Sequence, residues 1–127
     1  MPVPLIKIAP SGSSVRVSVK FKSAQAITYS FFLWEAGSNE EVACVRGNNQ
    51  NPEDDEFSLP MPAGSNVGRL LEGDFSLIDP DPGSDLTKAY RIEVSISQGE
   101  VVLDSLVAAG KMTGTRDNAG VVCKFTS

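Results

Sequence analysis

The sequence predicts an all-β fold, an antiparallel two-sheet β-sandwich of eight or nine strands, from three observations. In "SVRVSVKFK", Val15, Val17, Val19 and Phe21 take one face while Arg16, Ser18, Lys20 and Lys22 take the other. In "YRIEVSIS", Tyr90, Ile92, Val94 and Ile96 oppose Arg91, Glu93, Ser95 and Ser97 in the same way. Period-two alternation of this length marks half-buried antiparallel strands. The third observation is punctuation: 11 Gly and 8 Pro fall in turn-rich segments such as "EAGSNE", "RGNNQNPEDD" and "DPDPGSD", at the intervals of a sandwich.

The elements follow in order. Val3–Ile8 reads as a strand that Pro2 and Pro4 restrict to a sheet edge. Strands are then expected at Val15–Phe21, Ile27–Glu35, Glu41–Arg46, Glu56–Leu59 and Asp74–Ile78, at Tyr90–Ser97 and from Val101, and at Gly120–Thr126. A two-residue turn at Gln98-Gly99 would pair Ile96 with Val101 and put Val101 and Leu103 on the core face. Val67–Ile78 also fits helical spacing, with Ser65 or Asn66 as a cap. Gly68 and Gly73 weigh against that helix at about 1 kcal/mol each, which favours a turn and then a strand from Asp74.

A chain of 127 residues predicts one domain, and 41% hydrophobic content is ample for its core. The architecture invites comparison with Ig-like sandwiches. Tyr90 follows an acidic turn, where a tyrosine corner would sit, and Trp34 lies on an early strand, as a core tryptophan would. Ile92 stands where the Ig pattern has its second cysteine, so the comparison is architectural, and a jelly roll is the alternative. Cys44 and Cys123 lack metal-ligand spacing; they read as small buried hydrophobes or as one disulfide.

Several chemistries are disfavoured. A net charge of −5 with 11 scattered Lys and Arg does not suit a phosphate backbone. The chain has no histidine, which removes Ser-His-Asp and Cys-His catalysis. "AAGKMTGT" has Ser105 and Met112 where a phosphate loop needs Gly and Ser/Thr. No apolar run of membrane-spanning length occurs, and no leader is recognised. The expected compartment is therefore cytoplasmic, or that of a secreted chain whose leader has been removed.

Two places carry candidate function. The first is acidic. "DPDPGSD" holds Asp79, Asp81 and Asp85, and "PEDDE" holds Glu53, Asp54, Asp55 and Glu56. Two strands separate these loops, so both should emerge at one end of the sandwich, as solvated turns or as ligands for calcium. The second is "ITYSFFLWEAG". Ile27, Tyr29, Phe31 and Leu33 share one strand face, and Phe32 and Trp34 share the other. The second face calls for cover: the domain's own core, a second copy or partner protein, or a glycan. For a glycan, Phe32 and Trp34 would form a platform beside Asn48, Asn49, Gln50 and Asn51.

The function expected from these features is non-catalytic: a binding or assembly module for a partner protein or carbohydrate, capable of homo-oligomerisation. The alternatives are a calcium-dependent lectin or surface-binding domain using the acidic end and, more distantly, a carboxylate glycosidase.

Overall fold

A computed structural model describes residues 3–50 and 55–127. The chain is an all-β sandwich. Its first sheet has five strands: β1 (Leu5–Lys7), β3 (Ala26–Trp34), β4 (Glu41–Asn48), β6 (Leu70–Ile78) and β9 (Arg116–Thr126), in the order β1-β9-β6-β3-β4. The second has four: β2 (Val15–Phe21), β5 (Asp55–Ser58), β7 (Ala89–Gln98) and β8 (Val101–Lys111), in the order β5-β2-β7-β8. All pairings are antiparallel except β1 with β9, which is parallel; the proline-flanked first strand does lie on an edge.

The core lies between the sheets. Val15, Val17 and Val19 of β2 and Ile92, Val94 and Ile96 of β7 meet Ile27, Tyr29, Phe31 and Leu33 of β3 and Leu71, Phe75 and Leu77 of β6. Phe31 stands edge-on to Phe75 at 5.7 Å, and Tyr29 edge-on to Phe31 at 5.6 Å. The Tyr29–Phe31 face of β3 is thus covered inside its own domain. Room for these rings comes from glycines directly across the ladder: Tyr29 faces Gly47, Phe31 faces Gly73, and Tyr90 faces Gly110. A Cβ at Gly73 would approach Phe31 Cε1 to 2.6 Å, and one at Gly47 the Tyr29 hydroxyl to 2.4 Å.

Several expectations are corrected. The Val67–Ile78 segment is neither a helix nor a strand starting at Asp74: a 3₁₀ turn over Ala63–Asn66 precedes a strand that begins at Leu70. Buried Asn66 donates from Nδ2 to Pro60 O and accepts from Arg69 at Oδ1, bonds that hold the turn rather than cap an α-helix. The β7–β8 turn is Gly99-Glu100, one residue later than predicted, because glycine takes the positive φ of +61° that the first turn position requires. Gln98 then pairs with Val101, and a bulge at Leu103 resets the register so that Ile96 faces Asp104. Val101 consequently lies 62% exposed, and Leu103 is half-buried.

Trp34 is not a core tryptophan; it lies on the outer face. The Tyr90 ring crosses to Gly110 on the adjacent strand. Cys44 faces outward and Cys123 inward, three strands apart, and both are free. Three inter-strand spacings of about 4.8 Å on opposite faces put a disulfide out of reach. Burial, and then the Asp104 charge, push the Cys123 thiol up to about 12, so it stays protonated and packs as a hydrophobe.

Candidate ligand cleft beside Trp34

The two outer faces of the sandwich differ in chemistry. On the four-stranded sheet, Arg16 pairs with Glu56, and Lys22 and Arg91 both pair with Glu93. Ser18, Ser95 and Ser97 lie among these ions, so this is a solvated face. On the five-stranded sheet, the outward residues toward one end are Phe32 and Trp34 of β3, Leu70 of β6 and Val122 of β9. These four are half-buried, and Leu5 of β1 is 64% exposed beside them. Phe32 and Trp34, two residues apart on one face, stack with centroids 5.6 Å apart and planes inclined by 20°.

Beyond the indole lies a cleft of about 530 Å³ bordered by Trp34, Leu70, Glu72 and Lys124 and by the backbone turns around Gly37 and Gly68. Register explains the floor: Trp34, Leu70 and Lys124 form one row across β3, β6 and β9, and Phe32, Glu72 and Val122 form the next. The wall is the turn from Glu35 to Glu40, closed by Glu35 N donating to Glu40 O at 2.8 Å and turned by Gly37 at φ +66°. Arg69 anchors this wall. Its Nε and Nη2 donate to the two Glu35 carboxylate oxygens at 3.2 Å each, a bidentate pair that fixes orientation as well as distance. The Arg69 guanidinium and the Ala36 N–H hold Glu35 below the usual carboxylate range. Glu72 behaves oppositely. Burial, and then the charge and hydrogen bonding of Asp74, raise it above the usual range. Among the described residues Glu72 forms no ion pair.

The residues singled out in the sequence fall in three places. Phe32 and Trp34 border or support the cleft, whereas Tyr29 and Phe31 are core. Asn48 and Asn49 are not beside Trp34. Asn48 faces Thr28, six residues along β3 and roughly 20 Å away at strand rise. Asn49 there clips β3: its Oδ1 accepts from Ile27 N at 2.9 Å and its Nδ2 donates to Gln25 O at 2.7 Å. Asn51 lies outside the described residues, as do Glu53 and Asp54.

The described ends of the two acidic loops lie at one end of the sandwich. Ile78 pairs with Ala26, Asn49 N donates to Ile27 O, and Gln25 Nε2 donates to Ala89 O, which brings these loops together. The described carboxylates do not converge. Asp79 is buried, with one oxygen accepting from Thr87 Oγ1 and Asp81 N and the other from Lys88 Nζ. Those bonds hold Asp79 down to about 2. Asp81 and Asp85 are exposed. Asp55 lies against the Tyr29 hydroxyl and, after burial, raises that phenol. Glu56 is paired with Arg16 at 3.0 Å. Among the described residues no group of three or more His, Cys, Asp or Glu side chains is arranged to hold a metal ion.

Sequence reasoning missed Glu35, Leu70, Glu72 and Lys124. A signal existed for Leu70 and Glu72: Leu71, Gly73, Phe75 and Leu77 alternate with Leu70, Glu72, Asp74 and Ser76, once the strand is begun at Leu70. No protein-family model, curated protein or solved structure matches this chain. Among the described residues no helix is long and apolar enough to cross a membrane.

Proposed function

We propose that this domain is a non-catalytic binding module that takes a carbohydrate in the cleft beside Trp34. The observation that supports this reading is the composition of the cleft. An indole backed by Phe32 stands opposite a polar set of Glu35, Ser38, Asn39, Glu72 and Lys124. An aromatic face suits the C–H face of a pyranose, and convergent polar side chains suit its hydroxyl groups. Indole emission during titration with an oligosaccharide panel tests it directly, because Trp34 is the single tryptophan. A saturable shift is expected with a subset of glycans. Trp34→Ala should remove binding of those glycans, measured by calorimetry, while Asn48→Ala leaves it intact. A panel that produces no shift and no heat would end the carbohydrate reading.

Assembly is a second reading, favoured by a separate feature. β8 is an edge strand of its sheet with Val101, Val102 and Val107 exposed. If two copies pair there, sedimentation should show a dimer that Val102→Lys disperses into folded monomers. A monomeric mass at every concentration would reject the idea. The opposing feature is Asp104, an exposed charge on the inward side of the same strand, which is a known means of discouraging edge pairing.

A further inference from the structure

We propose that the Trp34 cleft selects a cationic glycan, one whose rings carry protonated amino groups, with the ammonium held between the indole and Glu72. This rests on the carbohydrate reading above and names its substrate class. Three placements carry it. Glu72 and Asp74 project from the same outward face of β6, two residues apart, so two like charges stand next to each other. On β3 alongside, Phe32 faces Glu72, Ser30 faces Asp74 and Trp34 lies diagonally from Glu72, so the pair has aromatic neighbours and no basic one on that strand. Arg69 is spent on Glu35, and among the described residues the Glu72 carboxylate has no ion pair.

The surrounding charges decide the sign. Glu72 faces Asp74 on its own strand, Lys124 diagonally on β9, and Arg46 beyond Ser30 on β4. Glu35 and Arg69 cancel at the wall, and Glu41 stands across from Trp34. Counting Glu35, Glu41, Glu72 and Asp74 against Arg46, Arg69 and Lys124 gives a local excess of one negative charge. A protonated amine there gains attraction from the carboxylates and from the negative face of the indole, the aromatic ring that binds cations best. It also relieves the repulsion between Glu72 and Asp74. A neutral sugar does neither, and a uronic acid meets the carboxylates with its own charge.

The raised Glu72 fits this environment and gives the pH dependence. A carboxyl group pushed upward loses its charge earlier as pH falls, so attraction for an amine should fade in mildly acidic solution before ordinary surface carboxylates titrate.

The test compares hexamers of β-1,4-linked glucosamine, N-acetylglucosamine and glucose by calorimetry at low salt, just below neutral pH. The glucosamine hexamer should bind about tenfold or more tightly than either neutral hexamer. Glu72→Gln should erase that preference, bringing the glucosamine hexamer to the affinity of the neutral hexamers measured on the same variant, and Lys124→Gln should widen it. Glu72→Gln should fold without penalty, because it removes a repelled charge; its melting temperature at neutral pH should equal or exceed that of the unmutated protein. Trp34→Ala keeps every charge, so retention of glucosamine binding in that variant would mean general attraction to an acidic chain and overturn the proposal. Equal affinity for all three hexamers would overturn the cationic preference and leave the carbohydrate reading standing. Failure of all three hexamers to bind, with other glycans of the panel still shifting Trp34, would do the same. Failure of the whole panel would remove both.

Discussion

Val94→Asp should leave the chain unfolded or nearly so at room temperature. Val94 is fully buried on β7, an interior strand, paired with Val19 on one side and Leu106 on the other. A carboxylate there has no route to solvent, because strands flank it and the five-stranded sheet packs over it. Burying an unpaired charge costs well over ~3 kcal/mol, and a domain of this size holds only about 5–15 kcal/mol in all. The matched comparison is Val94→Ala, which removes two methyl groups without adding charge and should cost about 2 kcal/mol. Urea melts followed by far-UV circular dichroism read both. If Val94→Asp melts at the same midpoint as the unmutated chain, residue 94 is not between two sheets and the sandwich is wrong.

Where one face of a strand was polar, the sequence could be read directly. β2 and β7 alternate without exception, and each put its predicted face into the core. β3 could not be read this way, because both its faces carry large apolar groups. The inward face was settled by residues far away in the chain, Gly47 and Gly73, which leave room opposite Tyr29 and Phe31. No local pattern reveals that complementarity. β8 went astray for a different reason: the turn falls at Gly99-Glu100, so Val101 pairs with Gln98 at the tip of the hairpin instead of with Ile96, and the bulge at Leu103, which has no firm sequence signature, shifts the rest of the strand.

The candidate site was legible only in its aromatic half. Phe32 and Trp34 stood out as outward or inward partners of an ambiguous strand, but their neighbours come from β6, β9 and the β3–β4 turn. Joining those elements needs the strand order β9-β6-β3, which no spacing within the chain encodes. Asn48 and Asn49 looked adjacent because they are close in sequence to β3. An antiparallel pairing puts them at the far end of that strand. The acidic loops show the reverse case. Counting strands placed the described ends of both together, yet the direction of three of the carboxylates depends on a partner: Lys88 for Asp79, Tyr29 for Asp55 and Arg16 for Glu56.

Lys88→Met should destabilise the fold through that first partner, and the loss should depend on pH. The Asp79 side chain is fully covered, and Lys88 is the cation bound to it; Lys88 also donates to Pro82 O at 2.9 Å and so closes the loop between them. Removing Lys88 leaves a covered carboxylate whose remaining donors, among the described residues, are Thr87 Oγ1 and the Asp81 N–H. Breaking a buried pair from one side is far more damaging than replacing both members, and a fall in melting temperature of roughly 10 °C or more at neutral pH is expected. The folded-state value for Asp79, about 2, lies below the ordinary aspartate value, so the stabilisation it gives is present above about pH 4 and is lost as pH falls toward 2. In Lys88→Met the depression is largely gone, so the melting temperatures of variant and parent should converge across that same window. Asp79→Asn offers the contrast. An amide still accepts from Thr87 and Asp81 N, and Lys88, one-fifth exposed, can turn toward water, so the loss should be smaller. Scanning calorimetry from pH 7 to pH 2.5 on the three proteins separates these outcomes. Equal melting of Lys88→Met and the parent across the whole range would show that the acidic loop is held by its backbone turns alone.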